Sequence, residues 1–236
     1  MPAPDPSFGW QEGVAAYLSV VIAAFLVTWV VTDLLRVRRT AYVAILTVVV
    51  LALGGGYLAW SGTSLSELVT SNIGWGVVAG VAAAAIVTPL IARLPRHTGP
   101  TGVKRAELVV WEDVVYGTAE ALLLATYPVL AIWQAAAAAG WTDGGWAKVG
   151  SGVLAVAGSL LVILVHHLGY AEFRERAARP ALFGALVACG LQAIAFLVTG
   201  NVLAPVVAHI VLHVQLTFRG EEMPPARRAA GALTPA

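Results

Sequence analysis

His209 and His213 stand one helical turn apart within the apolar run Leu203-Ala204-Pro205-Val206-Val207-Ala208-His209-Ile210-Val211-Leu212-His213. Residues at i and i+4 leave a helix on the same face, so the two imidazoles can share a proton, a metal ion or a developing negative charge. Each histidine alone can also be read as a hydrogen-bonding tie between helices. Further ionisable groups interrupt two other apolar stretches: Glu112, Asp113 and Glu120 in one, His166-His167 at the end of another. Ionisable side chains inside a membrane span mark function unless shown otherwise. His209 and His213, joined by His166 and Glu112, form a donor set for zinc or iron. On this reading the chain is a metal-dependent membrane enzyme; on the readings below it needs no cofactor.

The elements that must position these groups follow from composition. The 236 residues are 59% hydrophobic and 11% charged, with mean hydropathy +0.82, well above the ~45–50% apolar content of soluble domains. The lipid bilayer is therefore the first expected partner, and the scattered basic residues give no nucleic-acid surface. The single cysteine, Cys189, excludes an internal disulfide and reads as a packing residue. The predicted fold class is all-α, a polytopic bundle of about seven transmembrane helices over 14–35, 42–60, 75–92, 108–138, 146–168, 181–198 and a last run ending at 218. Residues 1–13, rich in proline, form an exposed lead-in; 14–218 form one transmembrane domain; 219–236 form a disordered cytoplasmic tail.

Charge sets the expected orientation. With the N-terminus outside and the C-terminus inside, every Lys and Arg except Lys148 falls on the cytoplasmic side, as the positive-inside rule demands. Trp10, Trp60, Trp75, Trp141 and Trp146 then gather at the outer interface. The same topology brings Glu112, Asp113, His166, His167, His209 and His213 into the cytoplasmic half. Glu120 lies about 12 Å deeper than Glu112 at ~1.5 Å per residue. Asp113, Gly117 and Glu120 share one helix face, and Glu112 with Tyr116 forms the neighbouring stripe.

Around these residues the chain resembles the CPBP family of intramembrane proteases, the CAAX-protease and bacteriocin-processing group. The run from Leu182-Phe183-Gly184 through Thr199-Gly200-Asn201 to Ala204-Pro205 and Ala208-His209 looks like the family's final helix pair, and His213 stands where Asn or Asp is usual. The family's EExxxR element matches Glu112-Asp113 with Tyr116, leaving Gly117 at the arginine position. A second register sets Glu120-Ala121 on the acid pair and Ala125 at the arginine; it matches fewer motif positions. The FxxxH element falls on His166 or His167, with Val162 or Ile163 in place of Phe. The likeness covers about 108–218.

The resemblance implies a glutamate-type endopeptidase that turns water on a membrane-associated peptide or protein substrate. Glu112 would be the base, assisted by Asp113, with His166 or His167 as its partner and His209 and His213 at the oxyanion. Tyr116, Glu120 and Asn201 would support them. The absent arginine and the extra histidine equally suit a catalytically altered relative acting as a scaffold, immunity or other membrane partner. A retinal-binding protein is excluded, because Lys104 and Lys148 are the only lysines and both lie outside helix centres. A transporter is disfavoured by the lack of matching broken halves.

Overall fold

A computed structural model describes Met1, Pro2 and residues 4–220. The expected disordered tail beyond Gly220 lies outside the described residues. Every regular element described is helical: α1 (Trp10–Leu34), α2 (Arg39–Ser61), α3 (Leu65–Thr70), α4 (Ile73–Ala92), α5 (Val103–Ala138), α6 (Gly145–Gly169), α7 (Arg179–Thr199) and α8 (Leu203–Phe218). The chain is thus an all-α polytopic membrane bundle. Large apolar side chains such as Val48, Leu51, Ile86, Val153 and Val198 face outwards, where lipid replaces the core they lack.

Six helices, α1, α2, α4, α5, α6 and α7, are long and apolar enough to cross a bilayer. The seventh expected span is shorter. Helix α8 has 16 residues, about 24 Å of rise against a hydrocarbon core of ~30 Å. It starts late because the preceding turn is buried. Gly200 ends α7 with φ at 66°, a left-handed conformation that glycine adopts without steric cost. Asn201 then donates from Nδ2 to the carbonyls of Val69, at 2.9 Å, and Ser71, while its Oδ1 accepts from the Leu203 N–H at 2.8 Å.

The receiving segment lies between the predicted spans 42–60 and 75–92. It holds α3, whose Ser64 hydroxyl accepts from the Glu67 N–H at 3.3 Å, the cap that the Ser-x-x-Glu spacing provides. The N-terminal lead-in is also less exposed than its prolines imply: Phe8 is buried against Tyr57 and Trp60, and the Asp5 N–H donates to the Ser61 carbonyl at 2.9 Å. Ser7 donates to Asp5 Oδ1 from N–H at 2.8 Å and from Oγ at 2.6 Å, which holds that exposed carboxyl below its usual value.

Helix α5 runs through the centre. Its apolar window is 72% buried, against 28–44% for the other spanning helices. Helix α1 packs on its C-terminal half and on α6, α2 packs on Val109–Tyr116, and α8 lies across Gly117–Ala121 and α4. The helical winding loosens to π over Val109–Tyr116 and Leu122–Thr126. The second loosening has a covalent cause: Pro128 brings no N–H and its ring crowds the carbonyl four residues back. Between the two π segments sits the turn that carries Glu120, and π turns recur at functional sites.

Small residues let the helices close. A side chain at Gly80 would strike the Ala204 carbonyl at 2.6 Å and Val207 at 3.0 Å, so α4 and α8 touch backbone to side chain there. Of the three consecutive glycines in α2, only Gly54 is an approach point, occupied by the Tyr127 ring; Gly55 and Gly56 face open space.

Candidate functional site

The second register, not the first, puts its acid at the centre. Glu120 is 5% exposed and presents both carboxylate oxygens to histidines from two other helices. His166, from α6, sets Nε2 3.0 Å from Oε1; His209 and His213, from α8, set Nε2 3.1 and 3.4 Å from Oε2. The Tyr116 hydroxyl, one turn back on α5, donates to Oε1 at 2.5 Å. The i,i+4 spacing works as expected within α8, whose two imidazoles stand 4.7 Å apart, centre to centre. Gly117 lets α8 lie close, with His209 and Ile210 at van der Waals distance of where its side chain would be.

The far nitrogens of the histidines fix the protons. His209 Nδ1 lies 2.8 Å from Gln192 Oε1 on α7, and His166 Nδ1 lies 3.3 Å from the Ala24 carbonyl on α1. Both oxygens can only accept, so each Nδ1 carries hydrogen in these bonds. Each facing Nε2 then either carries a second proton, making an imidazolium beside a carboxylate, or offers a lone pair to a proton held by Glu120. A buried acid that exchanges a proton with its neighbours over about 3 Å has the geometry of general acid–base chemistry. His213 Nδ1 and Gln192 Nε2 are buried and meet no hydrogen-bonding partner among the described residues, an uncommon state for buried polar atoms.

The remaining expected site residues are held elsewhere. Glu112, read as the base and as a metal ligand, is partly exposed and pairs with Arg39 at 3.4 Å. It stands two turns from Glu120 along α5 and does not join the cluster. Asp113 accepts from the Thr217 hydroxyl at 2.8 Å, a tie between α5 and α8. Of the adjacent histidines, His166 enters the site. His167 turns back on its own helix, Nδ1 2.8 Å from the Ile163 carbonyl, with its ring edge-on to Phe173 at 4.9 Å. Asn201 shapes the α7–α8 turn. Sequence reasoning missed Gln192, a buried amide in the apolar middle of α7, though its polarity there was a usable signal.

Three of these residues, Glu120, His209 and His213, also have the spacing of a metal site. One donor atom from each of Glu120, His209 and His213 lies within 4.8 Å of the others, and the separations of 3.1 and 3.4 Å from Oε2 to the two histidines are close to the roughly 3.3 Å edge of a tetrahedron with ~2.0–2.1 Å bonds. Carbonyl acceptors on the far nitrogens of His166 and His209 are the usual support for metal-binding imidazoles. An apolar groove of about 260 Å³ between α2 and α5, lined by Val50, Val115, Thr118 and Leu122 among others, includes none of the three.

Comparison with protein-family models, with curated proteins and with solved structures finds no match to this chain.

Proposed function

We propose that the protein is a membrane-embedded peptide hydrolase in which Glu120 activates water, a divergent relative of the CPBP proteases. The observation that carries this reading is the convergence on one buried carboxylate of His166, His209 and His213, the residues to which the resemblance gives the FxxxH and final-helix roles. Its acid becomes Glu120 instead of Glu112. In the reaction, Glu120 takes a proton from water as the water oxygen bonds to the peptide carbonyl carbon. His209 and His213 donate hydrogen bonds to the oxygen that gains charge. The proton passes from Glu120 to the amide nitrogen as the C–N bond breaks, leaving a carboxylic acid and an amine, which then share the acid's proton as carboxylate and ammonium. His166 orients Glu120 throughout. The substrate is a membrane-associated peptide or protein, and the orientation follows the charge count, N-terminus outside and C-terminus cytoplasmic.

A second reading is favoured by the donor spacing. Glu120, His209 and His213, with His166, would hold zinc or iron, which would supply Lewis acidity to a bound oxygen. Both readings are tested on purified protein in nanodiscs by cleavage of a membrane-anchored peptide pool with metal analysis on the same sample. Metal-free cleavage lost in Glu120→Gln supports the first reading. One equivalent of metal, lost in His209→Ala together with activity, supports the second. No cleavage and no metal would move the conclusion to a non-catalytic membrane partner.

A further inference from the structure

Hydrogen bonding around Glu120 continues beyond the histidines. The Tyr116 and Tyr170 hydroxyls are 3.0 Å apart, and those of Tyr170 and Tyr42 are 2.7 Å apart. Each phenol has one proton, and Tyr116 gives its own to Glu120. Tyr170 must therefore donate to Tyr116, and Tyr42 to Tyr170. All three O–H bonds point towards the carboxylate, a chain in which each bond polarises the next.

Arg39 stands over the rings at both ends of this chain. Its guanidinium carbon lies 4.1 Å from the centre of the Tyr116 ring and 5.6 Å from that of Tyr42, and its Nε is 3.4 Å from Glu112. The side chain is only 10% exposed. A cation on a ring face draws electron density from the phenol and makes its O–H a stronger donor. No Lys or Arg follows Arg105 along α5, so α2 brings this charge to the site from outside. We infer that Arg39 is a positioning residue for Glu120, acting through Tyr116 and the Tyr170–Tyr42 chain behind it. The inference rests on the reading of Glu120 as the reacting acid.

The groups that share this field are few. Glu120 faces Tyr116 on its own helix, His166 from α6 and His209 and His213 from α8. Arg39 faces Tyr42 on α2, Glu112 and Tyr116 on α5, and Tyr170 beyond α6. Cys189 of α7 packs in the same cluster as Tyr116. Among these neighbours Arg39 is the one permanent cation. Removing it weakens the Tyr116 O–H as a donor and loosens the hold of the chain on the Glu120 carboxylate.

The test uses the full chain in nanodiscs, with Arg39→Met, Arg39→Lys, Tyr116→Phe and the double variant Arg39→Met/Tyr116→Phe. Arg39→Met is expected to lose about tenfold in kcat with KM little changed. Arg39→Lys restores most of the lost kcat, because it returns the cation to the Tyr116 ring. The double variant falls no further than Tyr116→Phe alone, because both changes cut one chain. At fixed pH, an infrared carboxyl band assigned to Glu120 by its loss in Glu120→Gln shifts in frequency in Arg39→Met and in Tyr116→Phe, and stays as wild type in Arg39→Lys. An unmoved band in Arg39→Met, or a loss of kcat that lysine does not restore, would overturn the inference while leaving hydrolysis intact. A shifted band in a protein that cleaves nothing would keep the role of Arg39 and sink the hydrolase reading.

Discussion

Replacing Glu120 by glutamine preserves its shape and one acceptor oxygen but removes the charge that three imidazoles face. Cleavage is expected to fall by at least about 100-fold, the range for loss of a general acid–base group. The adjacent histidines give a matched contrast, since one enters the site and the other does not. His166→Ala is expected to lose activity on the same scale, whereas His167→Phe, whose ring already packs on Phe173, should stay within about threefold of wild type; steady-state rates on the same peptide pool decide it. At this scale the sequence was informative about residue type and poor about choice. The histidine pair on α8 could be read from spacing alone. Glu112 and Glu120 could not be separated by motif matching, because what distinguishes them is depth: Arg39 reaches Glu112 near the helix end, and the histidines reach Glu120 in the middle.

Individual elements were legible where hydropathy and helix signals coincide, as in the six long spans, and misread where tertiary contact decides. The extent of α8 depended on Asn201 being satisfied by the Val69 and Ser71 carbonyls, a contact spanning about 130 residues that no local pattern encodes. The π winding around Glu120 is likewise visible only as a consequence of Pro128 and of packing. Helix packing makes its own prediction through the glycines. Gly80→Val would drive a side chain into the Ala204 carbonyl and Val207 and is expected to destabilise by about 1–3 kcal/mol. Gly55→Ala, facing open space, should stabilise α2 by up to about 1 kcal/mol. Thermal unfolding in a fixed detergent, followed by circular dichroism, checks both signs.

For the whole molecule, the membrane class was legible in composition, whereas the central place of α5 emerges only from its burial in the folded bundle. The proposed orientation places Ser66, in exposed α3, outside, and Glu175, between α6 and α7, in the cytoplasm. Single cysteines at these positions, introduced with Cys189→Ser, are expected to react with an impermeant maleimide from opposite sides of sealed cells or inverted vesicles. Labelling of both from the same side would contradict the topology. The α1–α5–α6 and α4–α7–α8 packing meets on α5, so the fold holds the acid on one helix while the two neighbouring groups bring His166 from one side and His209 and His213 from the other.

The most direct test of the account is the rate of peptide-bond cleavage by wild type and Glu120→Gln, with His167→Phe as the folded control, each purified in nanodiscs with metal content measured. Robust cleavage by wild type and His167→Phe, abolished in Glu120→Gln without loss of thermal stability, is the predicted result. Cleavage that survives Glu120→Gln would contradict the assignment of Glu120 as the reacting acid.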